Sequence, residues 1–312
     1  MQLSTLITVI VIFVFFLVGV LSIVTVLTNE ESVRYTMFNS IKYGYITPVF
    51  TSYTDIDLPY TIENSEFDMK LAHSCSLLVE NVYAKNMKVE GTVIEKIIDY
   101  DKSDKTPFAY ILTKGDVIYV IFRGTWVLSE WLNNLKLNQL DHKGASDLYI
   151  NVPTFMRVDP NIMIHNGFLN VYDRIYKQVF ETIDHLMSLP GTDYRICVTG
   201  HSLGGSTSAI VGTELRYRGY KNVLVYAFGT PRTGNPTFSR YVEKLDDFKM
   251  YSIMNTEDNV AQAILSVSPN SKQHDSPFFY SFCGNDIYFS NNWYSAYYNH
   301  SIMMYSDALK SD

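Results

Sequence analysis

The sequence predicts an α/β fold: a mostly parallel sheet with helices on both faces, preceded by an N-terminal transmembrane helix. Three observations carry this reading. Between residues 91 and 255, short apolar runs alternate with stretches of helical periodicity, the pattern of a parallel sheet covered on both sides. The run Leu6–Leu27 is almost wholly apolar, and no charged side chain occurs from Gln2 to Asn29. The chain of 312 residues is 47% hydrophobic and 18% charged, enough apolar material for a sizeable core.

The first element in order is the anchor. At 1.5 Å per residue, a helix over Leu6–Leu27 measures about 33 Å, sufficient for a hydrocarbon core of ~30 Å. A cleaved signal peptide has a basic start, a shorter apolar stretch and a small-x-small cleavage site. Here no Lys or Arg precedes the run, which continues to Val26-Leu27. The reading is therefore a single-pass anchor over residues 1–28, with secretion after signal-peptide cleavage as the alternative. The free amine before the run and Glu30-Glu31 after it place the remainder outside the cytosol, lumenal or extracellular. Residues 29–62 form a Tyr-rich stem with Pro48 and Pro59, leading into or packing on a globular unit at 63–312.

In that unit, residues 65–83 have apolar side chains at helical spacing behind a Ser/Glu start. Three β-type runs follow at 91–100, 107–112 and 116–122, then an excursion at 136–164 without clear periodicity. Phe168, Tyr172, Ile175, Val179, Ile183 and Leu186 line one face of a helix over 167–187, which Pro190-Gly191 stop. Strands at 195–199, 223–229 and 249–255 then alternate with helices at 203–218 and 238–245.

Composition excludes several functions. The net charge is −7 and no Lys/Arg cluster occurs, which leaves no field for a nucleic acid. No C-x-x-C and no His-Glu-x-x-His motif is present, so neither a metal nor a cofactor is expected. Of the three cysteines, Cys197 sits in an apolar strand as a free core thiol. Only an extracytosolic location would allow Cys75 and Cys283 to pair.

The chemistry begins at VTGHSLGG. Gly200 and Gly205 have the spacing of a phosphate-binding loop, but Ser206 stands where that loop needs Lys. The alternative is Gly200-His201-Ser202-Leu203-Gly204, a G-x-S-x-G turn that presents a nucleophilic serine between a strand and a helix. Glycines flank it because the turn is strained and strand and helix pack closely. Ser202 then lies at the carboxyl end of a parallel strand, where sites in such sheets gather.

A serine hydroxyl needs a histidine to take its proton and a carboxylate to orient that histidine. In this chain order the acid follows a strand after the elbow. Asp258 does so, with Glu257 as its rival, whereas Asp246 and Asp247 precede the strand. Only His274 and His300 follow Asp258. His274 sits in a polar, Pro-terminated loop and reads as surface, while His300 has the apolar and aromatic setting of a buried base. His201 neighbours Ser202 on a sharp turn and points away; His165 precedes it and reads as a structural hydrogen-bonding residue. The oxyanion donors are the N–H of Leu203 and the loop after residues 117–122, ending at Thr125, which offers an N–H and a hydroxyl.

The stretches FRGTWVLSEWLNNL, IHNGF, VTGHSLGG, FGTPRTGNPTF, NTEDNV and NHS, in this order, resemble the signature blocks of the class 3 lipase family, the fungal-type triacylglycerol lipases. The resemblance implies an α/β-hydrolase fold with Ser202 as nucleophile, Asp258 as acid and His300 as base. It implies an oxyanion hole at Thr125 and Leu203, and a lid from Trp126 to about Asn134, with Trp126, Val127 and Leu128 as its apolar contacts. Family members hydrolyse tri-, di- or monoacylglycerols or phospholipids, so the expected partner is lipid at a membrane or droplet surface. Three departures stand out. Ala261 occupies a position where the family often has Pro, the stretch from Leu135 to His165 is long enough for a second flap, and an anchor is atypical of secreted lipases.

Overall fold

The computed structural model describes residues 50–63, 66–99, 107–125, 139–148, 151–262, 264, 266–268, 278–293 and 296–310. The expected membrane helix, the stem before residue 50, and the expected lid with Trp126, Val127 and Leu128 lie outside them. Among the described residues no helix is long and apolar enough to cross a membrane.

Seven strands form one sheet whose spatial order is the chain order: β1 (Val93–Ile98), β2 (Ala109–Lys114), β3 (Val117–Phe122), β4 (Arg195–His201), β5 (Val223–Phe228), β6 (Phe248–Asn255) and β7 (Asn285–Phe289). Strands β3 to β7 run parallel, and β1 to β3 form an antiparallel meander. Connection length decides which. Gly115-Asp116 alone join β2 to β3, with Gly115 at φ +58°, and a two-residue turn can join only antiparallel strands. The connections from β3 through β6 enclose helices. The helices that cover the sheet are α1 (Met69–Tyr83), α2 (Asn166–Met187), α3 (Leu203–Tyr217), α4 (Pro236–Glu243) and α5 (Ile302–Leu309).

The core is two-sided. Ile118, Val120 and Phe122 of β3 cluster with Ile175, Val179 and Ile183 of α2 and Ile210 of α3. Val117, Tyr119 and Ile121 cluster with Leu78 and Val82 of α1 and with Met304 and Tyr305 of α5. Every residue of β3 is buried, as a strand sealed on both faces requires. The apolar stripe predicted for α2 is buried along its whole length.

Several details differ from the sequence reading. Helix α1 begins later than its Ser/Glu start suggested, because the Asp68 carboxylate accepts from the N–H groups of Lys70 at 2.8 Å and Leu71 at 3.1 Å. The stretch 136–164 is tied down where it is described, and is no flap there. Phe155 and Met156 are fully buried, and Glu214 of α3 accepts from the Thr154 N–H, the Thr154 hydroxyl and the Phe155 N–H. Lifting residues 154–155 would take three donors from that buried carboxylate and leave it to Arg218, whose Nε donates to it at 2.9 Å. The described part of the stem packs equally well, with Ile56, Leu58 and Ile62 in the α1 cluster. Cys75 and Cys283 do not pair: the sheet separates them, Cys75 facing Cys197 at 3.7 Å on the α1 side and Cys283 lying on the other. All three thiols are free.

Candidate active site

Ser202 stands between β4 and α3 with φ 58° and ψ −121°, a conformation that costs a side-chain-bearing residue on the order of 1–3 kcal/mol. Its neighbours explain why the chain accepts this. A Cβ on Gly200 would lie 2.4 Å from the Gly204 carbonyl oxygen, and one on Gly204 would lie 2.6 Å from those of Phe122 and Arg123. Two strands and a helix thus meet at backbone contact, and the turn closes only with hydrogen at both positions. The Ser202 N–H donates to Phe228 O at 2.9 Å and holds the turn against β5.

The chain brings His300 and Asp258 to this point from well beyond the elbow. The Ser202 hydroxyl donates to His300 Nε2 at 2.8 Å, and His300 Nδ1–H donates to Asp258 Oδ2 at 2.7 Å. All three side chains are buried. Asp258 sits in the turn after β6, where its Oδ1 accepts from the N–H groups of Val260 at 2.9 Å and Ala261 at 3.0 Å. The Ala261 bond gives the family departure a physical meaning, since a proline there has no N–H to donate. Oδ2 also accepts from the Tyr305 hydroxyl at 2.6 Å. Burial pushes the Asp258 carboxyl upward, but His300, the Tyr305 hydroxyl and the Ala261 N–H outweigh it and hold the group below the usual carboxylate range. An ionised Asp258 only accepts, which fixes the proton of His300 on Nδ1 and leaves Nε2 free to receive one from Ser202.

Asparagines lace the loops that carry Asp258 and His300 together. Asn255, ending β6, donates from Nδ2 to Asn291 O at 2.9 Å and Asn299 O at 3.2 Å, and its Oδ1 accepts from the Asn291 N–H at 3.1 Å. Asn299 is buried beside the base; its Oδ1 accepts from the Trp293 N–H at 2.9 Å, and its Nδ2 donates to Glu257 O at 3.2 Å and Asn292 Oδ1 at 3.1 Å.

The rivals are placed elsewhere. Glu257 is half-buried and accepts from Asn292 Nδ2 at 3.3 Å. Asp247 lies at the amino end of β6, the wrong edge of the sheet, and pairs with Arg216 at 4.0 Å. His165 caps α2, its Nδ1 accepting from the Gly167 N–H at 3.0 Å, and burial lowers its pKa to about 3. His274 lies outside the described residues. Leu203 opens α3, so its N–H belongs to the first turn, whose donors have no partner within the helix. Thr125, half-buried, follows Gly124, whose hydrogen faces Ser202 so closely that a Cβ would lie 2.9 Å from that of the serine. The loop after β3 therefore abuts Ser202. Tyr305 and Asn255 had no signal in the sequence, because neither stands in a recognisable motif.

A family model described as Lipase (class 3) matches residues 119–267. The chain is 30% identical over 268 residues to the secreted mono- and diacylglycerol lipase MDL3 of Malassezia globosa, covering 84% of this chain and 82% of that one. To the lipase of Rhizopus niveus it is 30% identical over 145 residues, which are 45% of this chain but only 33% of that protein's length. Among solved structures, a deletion mutant of the Rhizomucor miehei lipase propeptide complex has the same fold, with a TM-score of 0.56 at 20% identity over 72% of this chain and 67% of that one.

Proposed function

The chain belongs to the class 3 lipase family, and from that premise we propose that it hydrolyses acyl esters of glycerolipids through Ser202, His300 and Asp258. The observation that carries the proposal is the unbroken line from the Ser202 hydroxyl through His300 to Asp258. In the first step Ser202 Oγ attacks the ester carbonyl carbon while its proton passes to His300 Nε2. Asp258, kept ionised, stabilises the imidazolium and holds the ring. The negative oxygen of the tetrahedral intermediate meets the N–H of Leu203 and the donors of Thr125, each such donor being worth about 3–4 kcal/mol in other serine hydrolases. His300 returns the proton to the leaving alcohol, which departs and leaves an acyl-serine. Water, deprotonated by His300, then attacks the acyl carbon; the bond to Ser202 Oγ breaks, His300 returns the proton to Oγ, and the fatty acid leaves.

The names of the relatives support glycerolipid substrates, since the Malassezia globosa protein is called a mono- and diacylglycerol lipase and relatives from rice are called phospholipase A1. We assign residues 1–28 to a membrane anchor and the rest to the extracytosolic side, on the charge-free run Leu6–Leu27 and the secreted designation of that fungal relative. Trp126, Val127 and Leu128 form the edge of a lid that exposes apolar surface only at lipid. The test is a fluorophosphonate probe followed by a lipid panel. The wild-type protein should label on Ser202 and Ser202→Ala should not, with esterase activity falling by several orders of magnitude. Labelling that persists in Ser202→Ala defeats the proposal, and a folded wild type without turnover on any glycerolipid would make the chain a lipase-like binding protein.

A further inference from the structure

A second polar line leaves the site through His201. His201 is buried directly before Ser202, yet both its ring nitrogens are engaged. Nε2 bonds the backbone carbonyl oxygen of His300 at 2.6 Å, and Nδ1 bonds the Tyr83 hydroxyl at 2.9 Å. Tyr83, at the end of α1, in turn accepts from the Gly124 N–H at 2.7 Å.

The protons in this line can be arranged in one way. A carbonyl only accepts, so His201 Nε2 carries a proton and donates to His300 O. Burial first, and the neighbouring His300 second, lower the pKa of His201 to about 3, so the ring is neutral and Nδ1 must accept. The Tyr83 hydroxyl therefore donates to Nδ1 and accepts from Gly124. The line begins in the oxyanion loop and ends on the backbone of the base.

Gly124 is held from both directions. Its N–H is fixed by Tyr83, and its carbonyl oxygen accepts from Arg123 Nη1 at 2.8 Å. That carbonyl belongs to the peptide whose N–H is Thr125's, and in a trans peptide the two point in opposite directions. A Cβ at position 124 would meet Tyr83 Oη at 2.4 Å and Ser202 Cβ at 2.9 Å. The Tyr83 ring is itself stacked on Phe50 at 4.6 Å between centroids.

We propose that Tyr83 and His201 are positioning residues that lock the oxyanion loop at Gly124-Thr125 to the backbone of His300, fixing the gap in which Ser202 and the acyl carbon react. They touch no reacting atom. Their effect falls on the transition state, because a loop displaced by a fraction of an ångström still admits substrate but no longer meets the oxyanion at hydrogen-bond distance. This inference rests on the hydrolase reading above.

Tyr83→Phe is the test, because it keeps the ring and its stack on Phe50 while removing the hydroxyl. On a short, soluble p-nitrophenyl ester kcat should fall at least tenfold with KM within twofold, and the rate of fluorophosphonate labelling should fall in parallel. Thr125→Val removes the hydroxyl of the same loop, so the double variant should lose less than the product of the two single losses. His201→Gln, whose amide can still donate toward the His300 carbonyl, should retain several-fold more kcat than His201→Ala, which decides the matter if Tyr83→Phe fails to fold. A Tyr83→Phe protein that melts earlier but keeps its kcat, or losses that multiply with Thr125→Val, would reduce Tyr83 to packing and overturn the proposal. Failure of the wild type to label on Ser202 would instead overturn the hydrolase reading on which it stands.

Discussion

The serine side of the site and the histidine–aspartate side are held by different physics. Around Ser202, backbone meets backbone: Gly200 against Gly204, and Gly204 against the end of β3. Around His300 and Asp258 the contacts are directional hydrogen bonds from Val260, Ala261, Tyr305 and the asparagines, drawn from β6, the loops after β6 and β7, and α5. A steric seam tolerates no added atom, whereas a hydrogen-bonded frame loses its bonds one at a time. The first should therefore fail abruptly under mutation and the second by degrees.

The largest effect should come from the seam. Gly200→Ala places a methyl group against a backbone oxygen that no rotamer can move, and should lower stability by about 3 kcal/mol or more and abolish labelling of Ser202. Chemical denaturation together with the probe measures both. A variant within 1 kcal/mol of wild type that still labels would show that the seam can breathe, and the contrast would collapse.

On the other side, Tyr305→Phe removes one of several donors to Asp258. It should lower kcat about tenfold and stability by about 1.5–3 kcal/mol, the range for hydrogen bonds to charged groups, while the protein stays folded and labels slowly. No change in kcat would mean that the Val260 and Ala261 N–H groups are sufficient to hold the acid.

A smaller effect sharpens the contrast along α1, the helix that carries Tyr83. Glu80 is buried there, with its Oε1 accepting from the Thr51 N–H at 2.9 Å. Burial, opposed by that N–H and aided by Asp307, carries its pKa up to about 7. The ordinary value in an unfolded chain is about 4.3. The folded state thus holds a proton that the unfolded state has already released, so stability falls as pH rises from about 4.3 to about 7 and levels off above. Glu80→Gln keeps an acceptor for Thr51 but does not titrate. Its melting temperature should match wild type near pH 4 and exceed it at pH 8; a constant offset across that range would remove Glu80 from the account. The smallest effect is no effect at all. Asn299 begins the sequon Asn299-His300-Ser301, but both ends of its amide are bonded within the fold, and intact-mass measurement of the secreted or lumenal protein should find no glycan there.

The same division governs what could be read from the sequence. A steric seam leaves a local mark, because glycine is required at fixed offsets, and the elbow around Ser202 was legible for that reason. The burial stripe of α2 was legible because helical periodicity is also local. Asp258 and His300 came from chain order plus the strand before one and the apolar setting of the other, and the structure brings both to Ser202. The hydrogen-bonded frame left no such mark. Tyr305, Tyr83 and Asn255 matter through partners distant in sequence, and a single tyrosine among many carries no spacing to recognise. Whether Cys75 and Cys283 pair was left open by the sequence for a related reason: which face of a sheet a residue occupies depends on register, which cysteine counting does not reach. The antiparallel pairing of β2 with β3 was decided by Gly115-Asp116, a turn signal that is present in the sequence but fell outside the mostly parallel pattern read from the strand–helix alternation.

Helix α5 follows every other element described, and it brings both Tyr305 and the packing against α1. Synthesis is vectorial, so Ser202 leaves the ribosome long before Tyr305, whose hydroxyl donates to Asp258. A chain stalled short of residue 302 already holds serine, histidine and aspartate, but its acid is missing its Tyr305 donor and its α1 is missing a neighbour. Helix α5 therefore completes the hydrogen-bonded frame around Asp258, which the chain before residue 302 lacks.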